Sequence, residues 1–61
     1  MKMKVGTVFE ARYKNNQRYI YTYAGKMPNG LHMLWNRNPS LDIDVEDDWF
    51  NVRSIKILKE D

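Results

Sequence analysis

Two consecutive asparagines, Asn15-Asn16, separate two runs of alternating residues and set the register of the chain on either side. Asn tolerates the positive φ that both central positions of a type I′ turn require, so Lys14-Asn15-Asn16-Gln17 is expected to form a two-residue hairpin turn. Lys14 then faces Gln17, and the pairing runs on as Tyr13 with Arg18, Ala11 with Ile20, Phe9 with Thr22 and Thr7 with Ala24. Those residues share one small, apolar face. On this register Tyr19, Tyr21 and Tyr23 fall on the other face, opposite Arg12, Glu10 and Val8 and fringed by Lys4, Arg12 and Lys14.

The same alternation predicts the remaining strands. Residues 3–14 and 17–25 read as half-buried strands. Lys26-Met27-Pro28-Asn29-Gly30 is a turn, with Pro fixing φ and Asn-Gly supplying the reversal. Leu31, Met33 and Trp35 alternate with His32, Leu34 and Asn36 and are expected to face the core of a third strand. Leu41, Ile43 and Val45, alternating with Asp42 and Asp44, give a short fourth. The last segment supports two readings. As a strand over 53–58, after a turn at Asp47–Asn51, it uses the β-branched Val52, Ile55 and Ile57. As a helix, it has Asp44 as cap and Val45, Trp49, Val52 and Ile55 near one face. The strand is preferred, because a fifth strand lets a short sheet close on itself and remove its exposed edges.

The chain of 61 residues makes one domain, residues 1–61, and a chain of this length buries only about 60% of the surface that its unfolded form exposes. With no cysteine to form disulfides or a thiolate metal site, the core must come from large side chains, of which two Trp, two Phe and four Tyr are the main supply. Met1-Lys2-Met3-Lys4 is basic but leads into a strand pattern with no continuous apolar run. No signal peptide or membrane span is therefore expected, and a cytoplasmic location is the expectation.

A strand containing Val5-Gly6-Thr7-Val8, several short antiparallel strands, and a turn before the apolar segment Trp49-Phe50-Asn51-Val52-Arg53-Ser54-Ile55-Lys56-Ile57-Leu58 together resemble the SH3-like barrels, including the KOW and Tudor types. The resemblance is architectural and implies an all-β, five-stranded antiparallel barrel, with a β-sheet plus C-terminal helix as the alternative. The Ala-Leu-Tyr-Asp-Tyr and Pro-x-x-Tyr elements of SH3 domains that take proline-rich peptides are missing, so no binding residue is carried over.

Catalysis is hard to build from this chain. It has no Cys, one imidazole at His32, and serines only at positions 40 and 54, with no spacing that assembles nucleophile, base and orienting group. No catalytic residue and no cofactor are expected. Asp42, Asp44, Glu46 and Asp48 have an oxygen-rich spacing, but Asp47 stands where a calcium loop needs its sharp glycine turn, so the acids read as an edge-protecting strand and no metal site is expected.

The net charge of +2 conceals a separation. Five acids and no base lie between Asp42 and Asp48, while all ten bases lie elsewhere, against Glu10, Glu60 and Asp61. A molecule polarised in this way is steered toward a charged partner. The first expectation is a nucleic-acid-binding module, for single strands rather than duplexes. Tyr19, Tyr21 and Tyr23 would stack bases, and Arg12, Lys14 and Arg18 would hold phosphates. The second is a protein-binding adaptor or inhibitor, of the host-directed kind that phages encode. It would use the tyrosine face or a patch of Asp44, Glu46, Asp47 and Asp48 around Trp49 and Phe50. Pairing of two copies through an uncovered strand edge is a further expectation.

Overall fold

The computed structural model describes residues 3–60, so the terminal Met1, Lys2 and Asp61 of the sequence lie outside the described residues. The first hairpin differs from its expected form. Its loop is three residues long, Lys14-Asn15-Asn16: the Tyr13 N–H donates to the Gln17 carbonyl at 2.8 Å and the Asn16 N–H to the Tyr13 carbonyl at 2.9 Å. Asn16, at φ 67°, is the only non-glycine residue with positive φ among the described residues, whereas a type I′ turn needs two. The loop is thus a tight turn closed by one left-handed residue, and the Asn15 side chain reinforces it by accepting from the Gln17 N–H at 3.0 Å.

One extra loop residue shifts the pairing by one, and in a strand that shift moves every side chain to the other face. Strand β1 (Val8–Arg12) meets β2 (Arg18–Lys26) with Phe9 opposite Tyr21, Ala11 opposite Tyr19 and Glu10 opposite Ile20. The expected pairing of Ala11 with Ile20 and of Phe9 with Thr22 is corrected accordingly. Tyr21 and Tyr23 point inward, 3% and 7% exposed, Tyr19 packs half-buried against the core, and Ile20 points out at 52%.

The second hairpin repeats the device. The Met27 N–H donates to the Leu31 carbonyl at 2.7 Å, the Gly30 N–H to Met27 at 2.9 Å, and the Asn29 side chain accepts from the Leu31 N–H at 3.0 Å. Gly30 supplies the left-handed position at φ 88°. A register shift around Ala24 adds one residue to β2 between the Tyr23–Leu34 and Gly25–Met33 pairs, with Gly25 at φ 113°. In strand β3 (His32–Asn36) it is therefore His32 and Leu34 that are buried. The expectation that Leu31, Met33 and Trp35 face the core is overturned, and Trp35 is 53% exposed.

The remaining elements are a 3-10 turn η1 (Pro39–Leu41), strand β4 (Ile43–Val45), a one-turn helix α1 (Trp49–Val52) and strand β5 (Ser54–Lys59). Leu41 belongs to the turn rather than to the fourth strand. The preferred reading of the last segment as a strand holds. Ile55 and Ile57 pair with Ala11 and Phe9, and the helical alternative survives only as the single turn before them. The first strand is shorter than expected, because Val5-Gly6 turns the chain: the Thr7 N–H donates to the Lys4 carbonyl at 3.0 Å and Gly6 sits at φ 96°. All five strands are antiparallel and form one open sheet in the order β4-β3-β2-β1-β5. No helix among the described residues is long and apolar enough to cross a membrane.

Phe9, Ala11 and Leu34 are fully buried on the inner side of the sheet. Helix α1 closes that side with Phe50, whose ring lies 6.2 Å from Phe9, 6.4 Å from Tyr23 and 5.3 Å from His32. Tilted and edge-on aromatic pairs of this kind each contribute about 0.5–1.5 kcal/mol beyond area burial.

Two stability predictions follow from these positions. Asn16→Gly keeps the left-handed loop and should leave the urea midpoint nearly unchanged, whereas Asn16→Val should cost about 1–2 kcal/mol. An unchanged midpoint for the valine variant would contradict the loop. Thr7 is buried and its Oγ1 has no hydrogen-bond partner among the described residues, so Thr7→Val should raise stability by about 1 kcal/mol in the same assay.

Candidate binding surface

The structure separates the two halves of the surface expected from the sequence. Arg12, Lys14 and Arg18 are exposed, with Arg12 opposite Arg18 on the outer face of the sheet. Arg18 Nε lies 3.9 Å from Glu10 Oε1, a solvent-exposed pairing that contributes little. The tyrosines occupy the inner face. The Tyr21 hydroxyl is 3.4 Å from that of Tyr13, and burial, reinforced by this neighbour, raises the Tyr21 phenol well above its ordinary value. Tyr19 and Tyr21 stack at 6.2 Å between centroids, and Tyr13 meets Tyr19 edge-on at 5.3 Å.

Tyr23 is part of a hydrogen-bonded chain. Its hydroxyl lies 2.7 Å from His32 Nδ1, and His32 Nε2 is hydrogen-bonded to Asp47 Oδ1. Burial raises the Tyr23 phenol, and the Asp47 charge adds to the effect. The bond to His32, followed by the charge of Lys26, holds the Asp47 carboxyl below its ordinary value. This chain ties the turn that carries Asp47, and with it α1, to the first residue of β3. Among the described residues no three His, Asp or Glu side chains converge as a metal-ligating group.

The acidic alternative is also divided. Asp44, Glu46, Asp47 and Asp48 are exposed, but Phe50 is buried, and Trp49 is half-buried with its ring edge-on to Phe9 at 6.3 Å and Tyr21 at 6.0 Å. The Arg53 guanidinium lies over the Tyr13 ring at 4.5 Å and over Trp49 at 5.8 Å. These rings are engaged in packing around α1, with the acids outside them.

The outer face carries what the inner one does not offer. Val8, Thr22 and Trp35 are successive neighbours across β1, β2 and β3. They border a shallow depression together with Ile20, Arg18 and Arg37. Trp35 Nε1 donates to Met33 Sδ at 3.1 Å, which orients the indole while half of it stays in solvent. Asn36 fixes the adjoining strand end, donating from Nδ2 to the Ile20 carbonyl at 3.3 Å and from its backbone N–H to Asp42 Oδ1 at 2.7 Å. An exposed indole beside two guanidinium groups can stack a planar group and neutralise an anion next to it. Sequence reasoning assigned Trp35 to the core and took no account of Arg37. The available signal was Pro28-Asn29-Gly30, which reads equally well as a three-residue loop with glycine in the left-handed position.

Comparison with known proteins returns no matching family model, no matching curated protein and no matching solved structure.

The Asp47 shift has a testable sign. A carboxyl depressed in the folded state contributes stability that is complete above its ordinary range and is lost as pH falls through its lowered folded value. Asp47→Asn should therefore flatten the acid side of a stability-against-pH curve while leaving the alkaline side parallel to the parent. Parallel acid limbs for the two proteins would contradict the His32–Asp47 bond.

Proposed function

We propose that the chain is a non-catalytic binding module with the architecture of a small SH3-like barrel, and that it takes single-stranded nucleic acid on the outer face of its sheet. The strand order, with a helical turn before β5, supports the architectural part of this reading. The observation that carries the functional part is the half-exposed Trp35 beside Arg18 and Arg37, with Arg12 next to Arg18 on the same face. A base stacked on an exposed aromatic is worth about 1–3 kcal/mol whatever its identity, and arginines supply phosphate neutralisation with counterion release. Arg12 and Arg18 keep the roles given to them by the sequence, while Trp35 replaces Tyr19, Tyr21 and Tyr23 as the stacking element.

A protein partner is the second reading. It is favoured by one observation: Ile20 and Leu41 expose large apolar side chains beside the same indole. Trp and Arg in an apolar setting are also what anchors an adaptor or inhibitor interface.

Salt dependence separates the two. Neutralisation of three phosphates by Arg12, Arg18 and Arg37 gives a log–log slope of roughly −2 on single strands. Trp35→Ala should weaken binding by about tenfold or more without lowering the melting temperature, whereas Tyr21→Ala should chiefly lower stability. If no single- or double-stranded oligonucleotide associates at low salt, the nucleic-acid reading fails.

A further inference from the structure

The sheet does not close on itself, so β5 keeps one side without a strand neighbour among the described residues. The ladder fixes which main-chain groups that side exposes. The Tyr23 N–H donates to the Thr7 carbonyl at 2.9 Å, and alternation from that pair turns the polar groups of Phe9 and Ala11 toward β2 and those of Glu10 and Arg12 toward β5. Lys56 and Ser54, opposite Glu10 and Arg12, therefore face back into the ladder. Ile55 and Ile57 alternate with them and direct their N–H and C=O groups to the free side, where an extended chain can take them. Their side chains, opposite Ala11 and Phe9, belong to the inner face, and Ile57 is still 40% exposed there. The open edge thus combines unfilled main-chain bonds with apolar surface beside the core.

Charge selects the kind of chain that fits. Arg53, Lys56 and Lys59 recur at every third residue along this edge, and none of them makes an ion pair among the described residues. Glu10 stands opposite Lys56 in the ladder but is engaged by Arg18 at 3.9 Å. Lys56 projects from the face opposite to Ile55 and Ile57. In antiparallel addition it becomes a non-hydrogen-bonded position, where the facing Cα lies about 4.5 Å away and side chains come closest. An acid placed there is stabilised and a cation is repelled. A second copy added through its own β5 would bring the same cations into one seam, which disfavours self-pairing. We infer that the free edge of β5 takes an extended segment of another protein as a sixth strand, with an acidic residue across from Lys56 and apolar residues across from Ile55 and Ile57. This surface is separate from the depression around Trp35 and does not rest on the nucleic-acid reading.

The test titrates short, end-blocked peptides into the isotope-labelled whole chain: one alternating Val and Glu, one alternating Val and Lys, and one with the Val and Glu residues in separate blocks. The Val–Glu alternating peptide should shift the Ile55 and Ile57 amides most, slow their hydrogen exchange, and bind about fivefold or more tightly than the other two. N-methylation of its valines, whose N–H groups face β5, should abolish binding, whereas N-methylation of its glutamates, whose N–H groups point away, should not. Lys56→Glu should invert the preference between the Val–Glu and Val–Lys peptides. Should that variant melt early, Lys56→Gln, which adds no charge beside Glu10, should remove the preference. Trp35→Ala should leave peptide binding unchanged. Equal binding of the Val–Glu and Val–Lys peptides, or equal loss from either methylation pattern, overturns the added strand. A dimer of the free chain through β5 makes a second copy the occupant and overturns it as well. Failure of every peptide to bind overturns it while leaving oligonucleotide binding, and the reading above, untouched.

Discussion

A single left-handed residue at the end of a three-residue loop governs this structure. Asn16 in the first hairpin and Gly30 in the second each close a tight turn in the third loop position, and each loop carries an asparagine side chain that caps the N–H of the residue leaving it. Because side chains alternate along a strand, the choice between two and three loop residues is a choice between faces. What the molecule buries or displays on β2 follows from that choice, and on β3 from that choice together with the extra residue at Ala24. Three tyrosine rings enter the aromatic core around Phe9, while Ile20 and Trp35 remain outside.

The consequence for stability is an aromatic core of a kind suited to a short chain without cysteine. Rings from β1, β2 and α1 meet edge-on and tilted around Phe9, so a few large side chains cover the inner side of an open sheet. Phe50 is delivered by only one helical turn, too short to be stable alone. Its position is fixed by packing and by the chain from Tyr23 through His32 to Asp47, which fastens the preceding turn to β3. An imidazole whose strand position was expected to alternate away from the core is instead buried and hydrogen-bonded at both ring nitrogens.

Much of this fold was legible in the sequence. The five strands, both hairpins and the final strand over Ile55 and Ile57 were all readable, because alternation and turn residues mark where strands lie and where they reverse. Parity was not. Asn-Asn is compatible with a two-residue type I′ turn and with a three-residue loop closed by the second Asn, and nothing local distinguishes them; burying Tyr21 beside Phe9 decides the matter at the tertiary level. The extra residue at Ala24 in β2 was equally hidden, since Gly25 marks a bulge only once its φ of 113° is known. Of the candidate surface, the exposure of the arginines at positions 12 and 18 was legible because charges at a hairpin end stay outside in either register of the loop. Trp35 was missed because its assignment depended on the face that parity inverted.

The most direct test of the account is a nuclear Overhauser measurement across the first hairpin. The bond from the Tyr13 N–H to the Gln17 carbonyl makes Arg12–Arg18, Glu10–Ile20 and Val8–Thr22 the close, non-hydrogen-bonded pairs, with Cα atoms about 4.5 Å apart. Strong Hα–Hα contacts between Glu10 and Ile20 and between Val8 and Thr22 are the expected result. The same contacts found instead between Ala11 and Ile20 and between Phe9 and Thr22 would restore the two-residue turn, carry the tyrosines outward and contradict the account.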